Sequence, residues 1–321
     1  MDRVLVTGGC GFIGSHLARE LFKKGYFVRI VDVKSSSYVL EEQYNEKLKL
    51  DLRAPENCLA ATKCIDVVYN LAANMGGIGF ITKVGAEIMY DNVLINANML
   101  EASRRNKVKR YLFSSSACIY PTYRQKDPNV DRLKEEDAYP AHPDSFYGWE
   151  KLYSEKMCEA YRHDHGMNIR ILRYHNVYGP EGVYKGGREK SPAALCRKIA
   201  ETKNPGKIVV WGDGKQTRSY CYIDDAVKGT IMLMGSDCDK PINIGSDRLV
   251  TIDELADMII KISGKKITKT YDNSAPQGVR GRNADISLAR KILGWEPKVT
   301  LEDGLAQTYK WIEAKVREER T

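Results

Sequence analysis

A tyrosine and a lysine four residues apart, Tyr147 and Lys151, have the types and the spacing for acid–base chemistry. In a helix such residues lie on one face, so the phenol and the ammonium would be neighbours. A free tyrosine titrates near pH ~10, and a nearby cation favours the phenolate and lowers that value. The pair could therefore take a proton from a hydroxyl group. A tyrosine and a lysine on the surface of an ordinary helix would show the same spacing, so the interpretation depends on the rest of the chain.

Other side chains with suitable chemistry lie elsewhere in the sequence. Cys118 follows a predicted strand at 111–116 and could supply a thiolate, although a cysteine of the buried core would also fit there. Ser116, or Ser115 before it, could hydrogen-bond a reacting hydroxyl, or could simply cap the strand end. Lys190 lies between a glycine-rich, basic stretch and a predicted helix, where a solvated lysine is the alternative.

A glycine-rich turn near the N-terminus indicates which kind of ligand these residues would lie beside. A short apolar strand at 3–7 leads into Gly8-Gly9-Cys10-Gly11-Phe12-Ile13-Gly14, then a helical pattern at 15–25 and a strand at 28–33 that contains Asp32. The glycines permit a tight turn, and the helix N-terminus offers free N–H groups to a pyrophosphate. A carboxylate at Asp32 would accept both ribose hydroxyls and repel a 2′-phosphate. The unit therefore predicts a dinucleotide site that takes NAD rather than NADP.

Strands and helices continue to alternate after this unit, which is typical of a parallel, doubly wound sheet. We predict further strands at 47–52, 67–73, 111–116 and 169–174, and a helix at about 87–105. Ligands of such sheets lie beyond the carboxyl ends of the strands, so Asn74, Cys118 and Asn176 should share one rim with the glycine-rich turn. The predicted fold class is α/β, with residues 1–180 as a Rossmann-like, NAD-binding domain.

The character of the chain changes after Pro180. Residues 181–321 should form a smaller, mainly substrate-binding α/β lobe, with some excursions back to the first domain. We predict helices at 191–203, 224–234, 252–262, 287–293 and 301–317, strands at 209–214, 218–222 and 242–245, and a basic loop at 278–282.

This lobe also supplies cations that could bind a diphosphate, because guanidinium groups match phosphate oxygens. Trp211 or Tyr220 could stack on a base, with core packing as the alternative. The candidate cations, each of which could also be an ordinary surface charge, are Arg188, Lys198, Arg218, Arg280 and Arg282.

The composition excludes several classes of protein. The 321 residues exceed what one core usually covers, and the net charge of +8 includes no run of five or six like charges. That argues against a nucleic-acid tail and suits a polyanionic small substrate. Eight cysteines include no Cys-x-x-Cys pair, so no metal site is expected. With no signal peptide and no apolar run of ~18 residues, we expect a cytoplasmic protein without a membrane partner.

The sequence resembles the extended short-chain dehydrogenase/reductase family of NAD-dependent epimerases and dehydratases. The shared motifs are the turn at 8–14, Asp32, Asn70-Leu71-Ala72-Ala73 and Tyr147-x-x-x-Lys151. Within that family the chain is similar to the GDP-mannose 3,5-epimerases, through segments 74–80, 115–121, 147–151, 175–180, 185–190, 211–214, 243–246 and 278–283. Asn74 departs from the acidic residue of the plant members.

Residues and resemblance together predict two sets of ligand contacts. Those to NAD are Gly8, Gly11, Phe12, Ile13, Gly14, Asp32, Asp51, Ala72, Tyr147 and Lys151. Those to the substrate are Gly76, Ser116, Asn176, Glu189, Lys190, Lys198, Trp211, Arg218 and Arg280.

The activity that the resemblance implies is epimerisation of GDP-D-mannose at C3 and C5 to GDP-L-galactose, with GDP-L-gulose as the product of C5 inversion alone. C4 is oxidised transiently while Tyr147 takes the hydroxyl proton and Lys151 holds the phenolate. Cys118 then removes a proton beside the ketone, and Lys190 returns one from the opposite face before the ketone is reduced. A homodimer through helices near 87–105 and 148–163 is implied as well.

Other functions stay open on the residues alone. A nucleotide-sugar 4-epimerase would need no pairing of Cys118 with Lys190. A 4,6-dehydratase would usually carry an Asp-Glu pair where this chain has Cys118-Ile119. A non-catalytic, NAD-sensing regulatory protein should have lost Tyr147 or Lys151. The sequence therefore favours an NAD-dependent nucleotide-sugar epimerase.

Overall fold

Helices and strands alternate along most of the chain, as the hydrophobic pattern predicts. The computed structural model describes residues 2–35 and 38–320. The first part contains β1 (Arg3–Thr7), α1 (Phe12–Lys23), β2 (Phe27–Asp32), β3 (Glu46–Lys49), α2 (Pro55–Thr62), β4 (Val67–Asn70), α3 (Ile78–Ile81), α4 (Gly85–Arg105), β5 (Arg110–Ser116), α5 (Phe146–His165), β6 (Ile169–Tyr174) and β7 (Val177–Tyr178). The second part contains α6 (Ser191–Glu201), β8 (Gly206–Trp211), β9 (Thr217–Ser219), β10 (Cys221–Tyr222), α7 (Ile223–Gly235), β11 (Ile242–Ile244), β12 (Leu249–Thr251), α8 (Ile252–Ser263), β13 (Ile267–Asp272), β14 (Gly281–Arg282), α9 (Ser287–Leu293) and α10 (Leu301–Glu318).

A parallel sheet forms the centre of the protein. Within the described residues it has seven strands, in the order β11-β6-β5-β4-β1-β2-β3. The strand order reverses between β1 and β4, and ligands of such sheets bind beyond the carboxyl ends at that point. This topology confirms the predicted Rossmann-like, doubly wound fold.

Side chains of β1 divide the core into two halves, because successive residues of a strand point to opposite faces. Val4 and Val6 are buried in one cluster with Leu17 of α1. Leu5 is buried in the other cluster with Met99 of α4. Helices therefore cover both faces of the sheet, which explains why its strands are almost continuously apolar. No helix of the described ranges is both long enough and apolar enough to cross a bilayer.

The C-terminal part of the chain does not form a separate unit throughout. Strand β11 joins the central sheet beside β6, and β10 pairs with β7. The rest builds a smaller lobe in which β8 pairs with β13, and β9 pairs with β12 and β14. Helices α6, α8 and α10 pack against one another beside these strands. Elements from both sides of residue 180 thus mix in space.

The smaller lobe differs from the sequence prediction in three places. Strands β12 and β13 were not predicted, because their side chains are half-exposed and their partners lie far away in sequence. The predicted basic loop at 278–282 is partly wrong, since Gly281–Arg282 forms the buried strand β14. In the first domain, α1 begins at Phe12 instead of Ser15, so the last residues of the glycine-rich turn form its first turn.

Helix α5 is placed so that its first turn meets the segment after β5. The Ser145 side chain accepts a hydrogen bond from the Gly148 N–H at 3.2 Å and starts the helix, and Gly166 ends it in the left-handed region. A Cβ on Gly148 would lie 2.2 Å from the Cys118 carbonyl oxygen. Glycine at this position therefore lets the helix approach Cys118 closely.

Candidate active site

The glycine-rich turn has a shape that excludes added side chains. Gly8 has a φ of +65°, and a Cβ on Gly14 would lie 2.2 Å from the Gly8 carbonyl oxygen. The Gly11 N–H donates to that same oxygen at 2.9 Å. The turn leads directly into the N-terminus of α1 at Phe12, with Ile13 as the next residue of the helix. These observations fit a bound pyrophosphate, because the backbone is free to approach it closely.

Asp32 ends β2 beside this turn. Its carboxylate accepts hydrogen bonds from the backbone N–H groups of Cys10 and Lys34, both at 3.0 Å. A cavity of about 370 Å³ adjoins the turn and is lined by Gly11, Phe12, Lys34, Tyr38 and residues 181–185, among others. The carboxylate and the cavity together suit the ribose of a dinucleotide. Residues 181–185 are contributors that the sequence analysis did not identify.

Two other predicted cofactor residues have different surroundings. A Cβ on Gly8 would lie 3.1 Å from backbone atoms of Ala72, so Ala72 lies against the glycine-rich turn. Asp51 follows β3 and is held by Arg53, whose side-chain hydrogen bonds keep the pKa of Asp51 below its ordinary value. The structure therefore places Ala72 beside the cofactor turn and Asp51 in a surface ion pair.

A second cavity, of about 250 Å³, lies where the carboxyl ends of β5 and β6 meet the smaller lobe. Residues separated by more than 140 positions in sequence share it. Its lining includes these predicted site residues: Gly76, Ser116, Cys118, Tyr147, Asn176, Glu189, Lys190, Lys198, Trp211 and Arg218. The structure thus brings almost the whole predicted substrate and catalytic set together.

Tyr147 of α5 lines this cavity and Lys151 lies one turn further along the same helix; they are 6% and 1% exposed. The Lys151 Nζ atom is 5.7 Å from the centre of the Tyr147 ring and 4.8 Å from that of Phe113. Burial raises the pKa of Tyr147, Cys118 and Glu150 raise it further, and the Ser116 hydrogen bond lowers it. Burial also lowers the pKa of Lys151. Burial is thus the largest influence on the pKa of both groups in the chain as described.

The two serines before Cys118 face different ways. Ser115 is 3% exposed and donates its hydroxyl proton to Glu155 Oε1 at 2.5 Å, so this proton is not available to a ligand. Ser116 lines the cavity, and its hydroxyl accepts the Cys118 N–H at 3.2 Å. Because side chains alternate along a strand, only one of the two neighbours can face the site. Ser116 is therefore the serine available to a reacting hydroxyl.

The guanidinium of Arg282 lies directly beside Cys118. Its Nη1 donates to Cys118 Sγ at 3.3 Å, its Nη2 to Asp144 Oδ2 at 2.5 Å, and its Nε to Gln125 Oε1 at 2.6 Å. Burial lowers the pKa of Arg282, but the charges of Asp144 and Cys118 outweigh this and raise it overall. A thiolate at Cys118 would therefore have a fixed counter-charge.

The sequence analysis assigned Arg282 to a diphosphate and did not identify Asp144 or Gln125. Gln125 and Asp144 follow Cys118 by 7 and 26 positions, in stretches without periodic hydrophobicity. No local signal could have found them.

Lys190 stands at the start of α6 and lines the same cavity as Cys118. Burial lowers the pKa of Lys190, the charge of Cys118 raises it and that of Arg282 lowers it. An ammonium whose pKa is lowered loses its proton more readily and is a better acid. Glu189, its neighbour, accepts a hydrogen bond from Arg197 through Oε1 at 3.3 Å, while its buried Oε2 has no partner among the described residues.

Two cations that line the cavity form no ion pair with an acidic side chain among the described residues. Arg218 donates to two backbone carbonyl groups at 2.7 and 3.2 Å, and burial lowers its pKa to about 10. Lys198 donates to a carbonyl group of β8, its Nζ lies 5.4 Å from the centre of the Trp211 ring, and burial lowers its pKa. Partly buried cations without a counter-ion favour an anionic ligand, and Trp211 offers a face for stacking.

The positions of the remaining predicted substrate residues indicate a substrate contact less directly. Asn176 has a φ of +42° and donates to the Ser219 carbonyl oxygen at 2.9 Å. Arg280 forms a bidentate ion pair with Asp213, with N–O distances of 2.9 and 3.1 Å, and does not line the cavity. Its prediction as a substrate contact is therefore not matched by its position. Arg188 likewise stacks at 3.7 Å over Phe80 instead of lining the cavity.

Comparison with known proteins places this site in a family. The model of the NAD dependent epimerase/dehydratase family matches residues 4–245. The chain belongs to this family. NAD is accordingly its cofactor, in agreement with the glycine-rich turn and Asp32.

Individual members of the NAD dependent epimerase/dehydratase family are similar over nearly the full length. A GDP-mannose 3,5-epimerase of Oryza sativa subsp. indica is 47% identical over 320 residues, which cover 99% of this chain and 84% of the rice protein. The crystal structure of a UDP-glucose 4-epimerase from Thermotoga maritima with UDP-glucose matches with a TM-score of 0.88 and 29% identity, over 98% of this chain and 99% of the other. A UDP-glucuronic acid 4-epimerase from Bacillus cereus, in complex with UDP-glucuronic acid and NAD, matches with a TM-score of 0.84 and 30% identity over the same shares.

Proposed function

We propose that this protein is an NAD-dependent nucleotide-sugar epimerase that converts GDP-D-mannose to GDP-L-galactose by inversion at C3 and C5, with GDP-L-gulose as the product of C5 inversion alone. The observation that carries the proposal is one cavity containing the Tyr147 and Ser116 hydroxyls, the Cys118 thiol and the Lys190 ammonium. A simple alcohol oxidation needs only the first two of these groups. The similarity to the rice GDP-mannose 3,5-epimerase supports the same substrate.

The first chemical task is removal of the proton from the C4 hydroxyl. NAD, held by the turn at 8–14 and Asp32, supplies hydride transfer at C4 in both directions. Ser116 orients the hydroxyl and Tyr147 accepts its proton, a role that Lys151 supports by stabilising the phenolate. Bound NAD, whose nicotinamide ring is positively charged, would also favour the phenolate, which opposes the effect of burial on the Tyr147 pKa.

The second task is inversion at carbons beside the new ketone, whose electron withdrawal acidifies the C3 and C5 hydrogens. Cys118 removes the proton as a thiolate, which Arg282 stabilises at 3.3 Å. Lys190 delivers a proton to the opposite face, and its lowered pKa suits repeated gain and loss of that proton. Tyr147 finally returns its proton to the C4 oxygen as the ketone is reduced.

The nucleotide end of the substrate would occupy the other end of the cavity. Arg218 and Lys198 provide two positive charges without acidic partners among the described side chains, which suits the two phosphates of a nucleoside diphosphate. Trp211, 43% exposed, lies beside them and can stack on the base.

A 4-epimerase is the second candidate, because the solved structures of the Thermotoga maritima and Bacillus cereus proteins are of this kind. Such an enzyme would invert C4 by turning the ketone within the cavity. It would not need a thiol and an ammonium on either side of the sugar ring. The two candidates therefore differ in whether hydrogen at C3 and C5 exchanges with solvent.

The test is turnover in deuterated water, with purified protein, GDP-mannose and NAD, and with the sugar ring followed by NMR. Deuterium at C3 and C5, together with new L-sugar signals, is the expected result. Cys118→Ser should abolish the exchange while NAD still binds. Cys64→Ser, at an exposed cysteine outside the cavity, is the matched control and should exchange normally. Inversion at C4 without deuterium uptake would establish the 4-epimerase instead.

The proposal includes a homodimer in the cytoplasm. Helices α4 and α5 pack side by side and leave large aromatic side chains exposed: Tyr90 at 65%, Phe146 at 62%, Trp149 at 44% and Tyr153 at 56%. A second copy of this helix pair would bury them as a four-helix interface. Sedimentation should give twice the chain mass, and Tyr153→Glu should reduce it to one chain. A monomeric parent protein would contradict this part of the proposal.

A further inference from the structure

Glu150 is a fully buried acidic residue that the reaction described above does not use. Its side chain in α5 is 0% exposed. Its Oε1 atom accepts hydrogen bonds from Asn96 Nδ2 at 2.7 Å and from Ser154 Oγ at 2.9 Å. Its Oε2 atom is buried and has no hydrogen-bond partner in residues 2–35 and 38–320. A buried carboxylate oxygen without a partner is unfavourable, so its presence calls for a physical reason.

A chain of polar side chains joins Glu150 to the cofactor turn. Asn96 accepts a hydrogen bond from Asn70 Nδ2 at 3.0 Å, and Asn70 Oδ1 accepts one from Thr7 Oγ1 at 2.8 Å. Thr7 ends β1 just before the glycine-rich turn, and its hydroxyl accepts the Ala72 N–H at 3.0 Å. The position of the Glu150 carboxylate is therefore set from the same elements that hold the dinucleotide site.

The charges buried around α5 show what Glu150 can act on. Glu155 and Arg173 form a close ion pair at 2.7 Å and neutralise each other. Glu150 and Lys151 are the two other fully buried charges of this helix, and neither forms a direct ion pair with any described residue. Glu150 and Lys151 follow Tyr147 by three and four positions, the two spacings that make residues of a helix neighbours. The unpaired carboxylate and the ammonium thus both flank Tyr147 on one side of α5.

We propose that Glu150 is a positioning residue whose buried negative charge keeps Lys151 protonated and sets the charge state of the Tyr147–Lys151 pair. It touches neither substrate nor cofactor and acts through Lys151 and Tyr147. This deepens the proposed function and rests on it for the reaction that the pair serves.

The groups around the pair determine the sign of the effect. On α5 these are Glu150, Glu155 and Cys158, the segment after β5 contributes Cys118, and β6 contributes Arg173, already paired. From α4 the carboxylate accepts a hydrogen bond from the neutral amide of Asn96. Burial is the largest influence on both members of the pair, and Glu150 raises the pKa of Lys151 and of Tyr147. Removing its charge must therefore lower both values together.

The experiment compares Glu150→Gln with Ser154→Ala in the NAD-loaded protein. The first variant removes the charge and keeps the shape, and the second removes one hydrogen bond to the carboxylate and keeps the charge. The pKa of Tyr147 is obtained from the ultraviolet absorbance of tyrosinate, as the difference between each protein and the same protein carrying Tyr147→Phe. We expect a fall of at least about half a pH unit in Glu150→Gln, about threefold in phenolate population, and no shift in Ser154→Ala.

This spectroscopic measurement uses no substrate, so it distinguishes the two proposals. Failure of the parent protein to act on GDP-mannose would defeat the proposed function and leave the inference about Glu150 standing. If the parent protein is active, both limbs of its pH–rate profile should move to lower pH in Glu150→Gln. In Glu150→Asp they should return to the parent's positions.

Two outcomes would overturn the inference. One is an unchanged Tyr147 titration in folded Glu150→Gln. The other is failure of both neutral variants, Glu150→Gln and Glu150→Ala, to fold when Glu150→Asp folds, since Glu150 would then be a structural residue.

Discussion

Removing the guanidinium beside Cys118 should make this thiol much less reactive at neutral pH. Arg282 Nη1 lies 3.3 Å from the sulfur, and the same group is paired with Asp144 at 2.5 Å. The side chains of Arg282 and Asp144 are only 7% and 11% exposed, so solvent screens them little. The informative perturbation is the double change Arg282→Met with Asp144→Asn, because the single Arg282→Met would leave a buried carboxylate unpaired.

The size of the effect follows from the distances. At 3.3 Å and an effective dielectric constant of ~20, a guanidinium stabilises a thiolate by about 5 kcal/mol. The Asp144 carboxylate, which is bound by the same guanidinium, repels a thiolate and offsets about 3 kcal/mol of this. The net gain of about 2 kcal/mol corresponds to a factor of about 30 in the thiolate population.

The assay is the rate of alkylation by iodoacetamide in a Cys64→Ser background, since the six cysteines other than Cys64 and Cys118 are buried. At neutral pH the double variant should react about five- to tenfold more slowly than its parent, because the smaller thiolate population is partly offset by a more nucleophilic thiolate. Asp144→Asn alone removes the opposing charge, and the rate should rise. Retained NAD binding provides the control for folding.

Equal rates in the parent and the double variant would refute the reasoning, because the guanidinium would then exert no field on the sulfur. A slower reaction in Asp144→Asn would refute the sign of the argument even if the double variant behaved as expected.

Three further predictions concern the cofactor site and the stability of the fold. Gly14→Ala places a Cβ 2.2 Å from the Gly8 carbonyl oxygen, so NAD affinity measured by fluorescence titration should fall at least about tenfold, whereas unchanged affinity would contradict the assigned turn. Arg173→Met leaves the Glu155 carboxylate buried and unpaired, and the free energy of unfolding from urea titration should fall by about 3–5 kcal/mol, with a change below 1 kcal/mol counting against it. Burial raises the pKa of Glu135 to about 7, which makes the protonated form the one that folding favours. Its contribution to stability is fully present below the ordinary carboxyl pKa and is lost as pH rises through about 7. Glu135→Gln should therefore flatten the fall in thermal stability between these two pH values. An identical pH dependence in the variant would exclude Glu135 as the cause of the fall.

Much of the fold could be predicted because its signals are local. The apolar strand at 3–7, the glycine-rich turn and Asp32 lie within 30 residues, and each is defined by its neighbours in sequence. Helix α8 was predicted from Thr251 onward, and its first turn is indeed closed by hydrogen bonds between Thr251 and Glu254. Strands β12, β13 and β14 escaped prediction because their pairing partners, and not their own patterns, make them strands.

Some features of the candidate site could likewise be predicted from the sequence, and others became visible only in the structure. Tyr147 and Lys151 are related by the geometry of a single helix, and Ser116 and Cys118 by the end of a single strand, so spacing alone identified them. The folded structure shows that Ser116 lines the cavity, whereas Ser115 hydrogen-bonds Glu155. The structure also shows that Arg280 pairs with Asp213 and does not line the cavity.

By itself the sequence determined the alternation of strands and helices, the dinucleotide turn and the residue types available for proton transfer, since all of these depend on short-range spacing. Only the tertiary structure decided which charges surround them. Arg282 meets Cys118 across 164 positions, and Asn96 meets Glu150 across 54. The physical reason is that electrostatic environment depends on distance in space and on burial, and both are products of the folded chain.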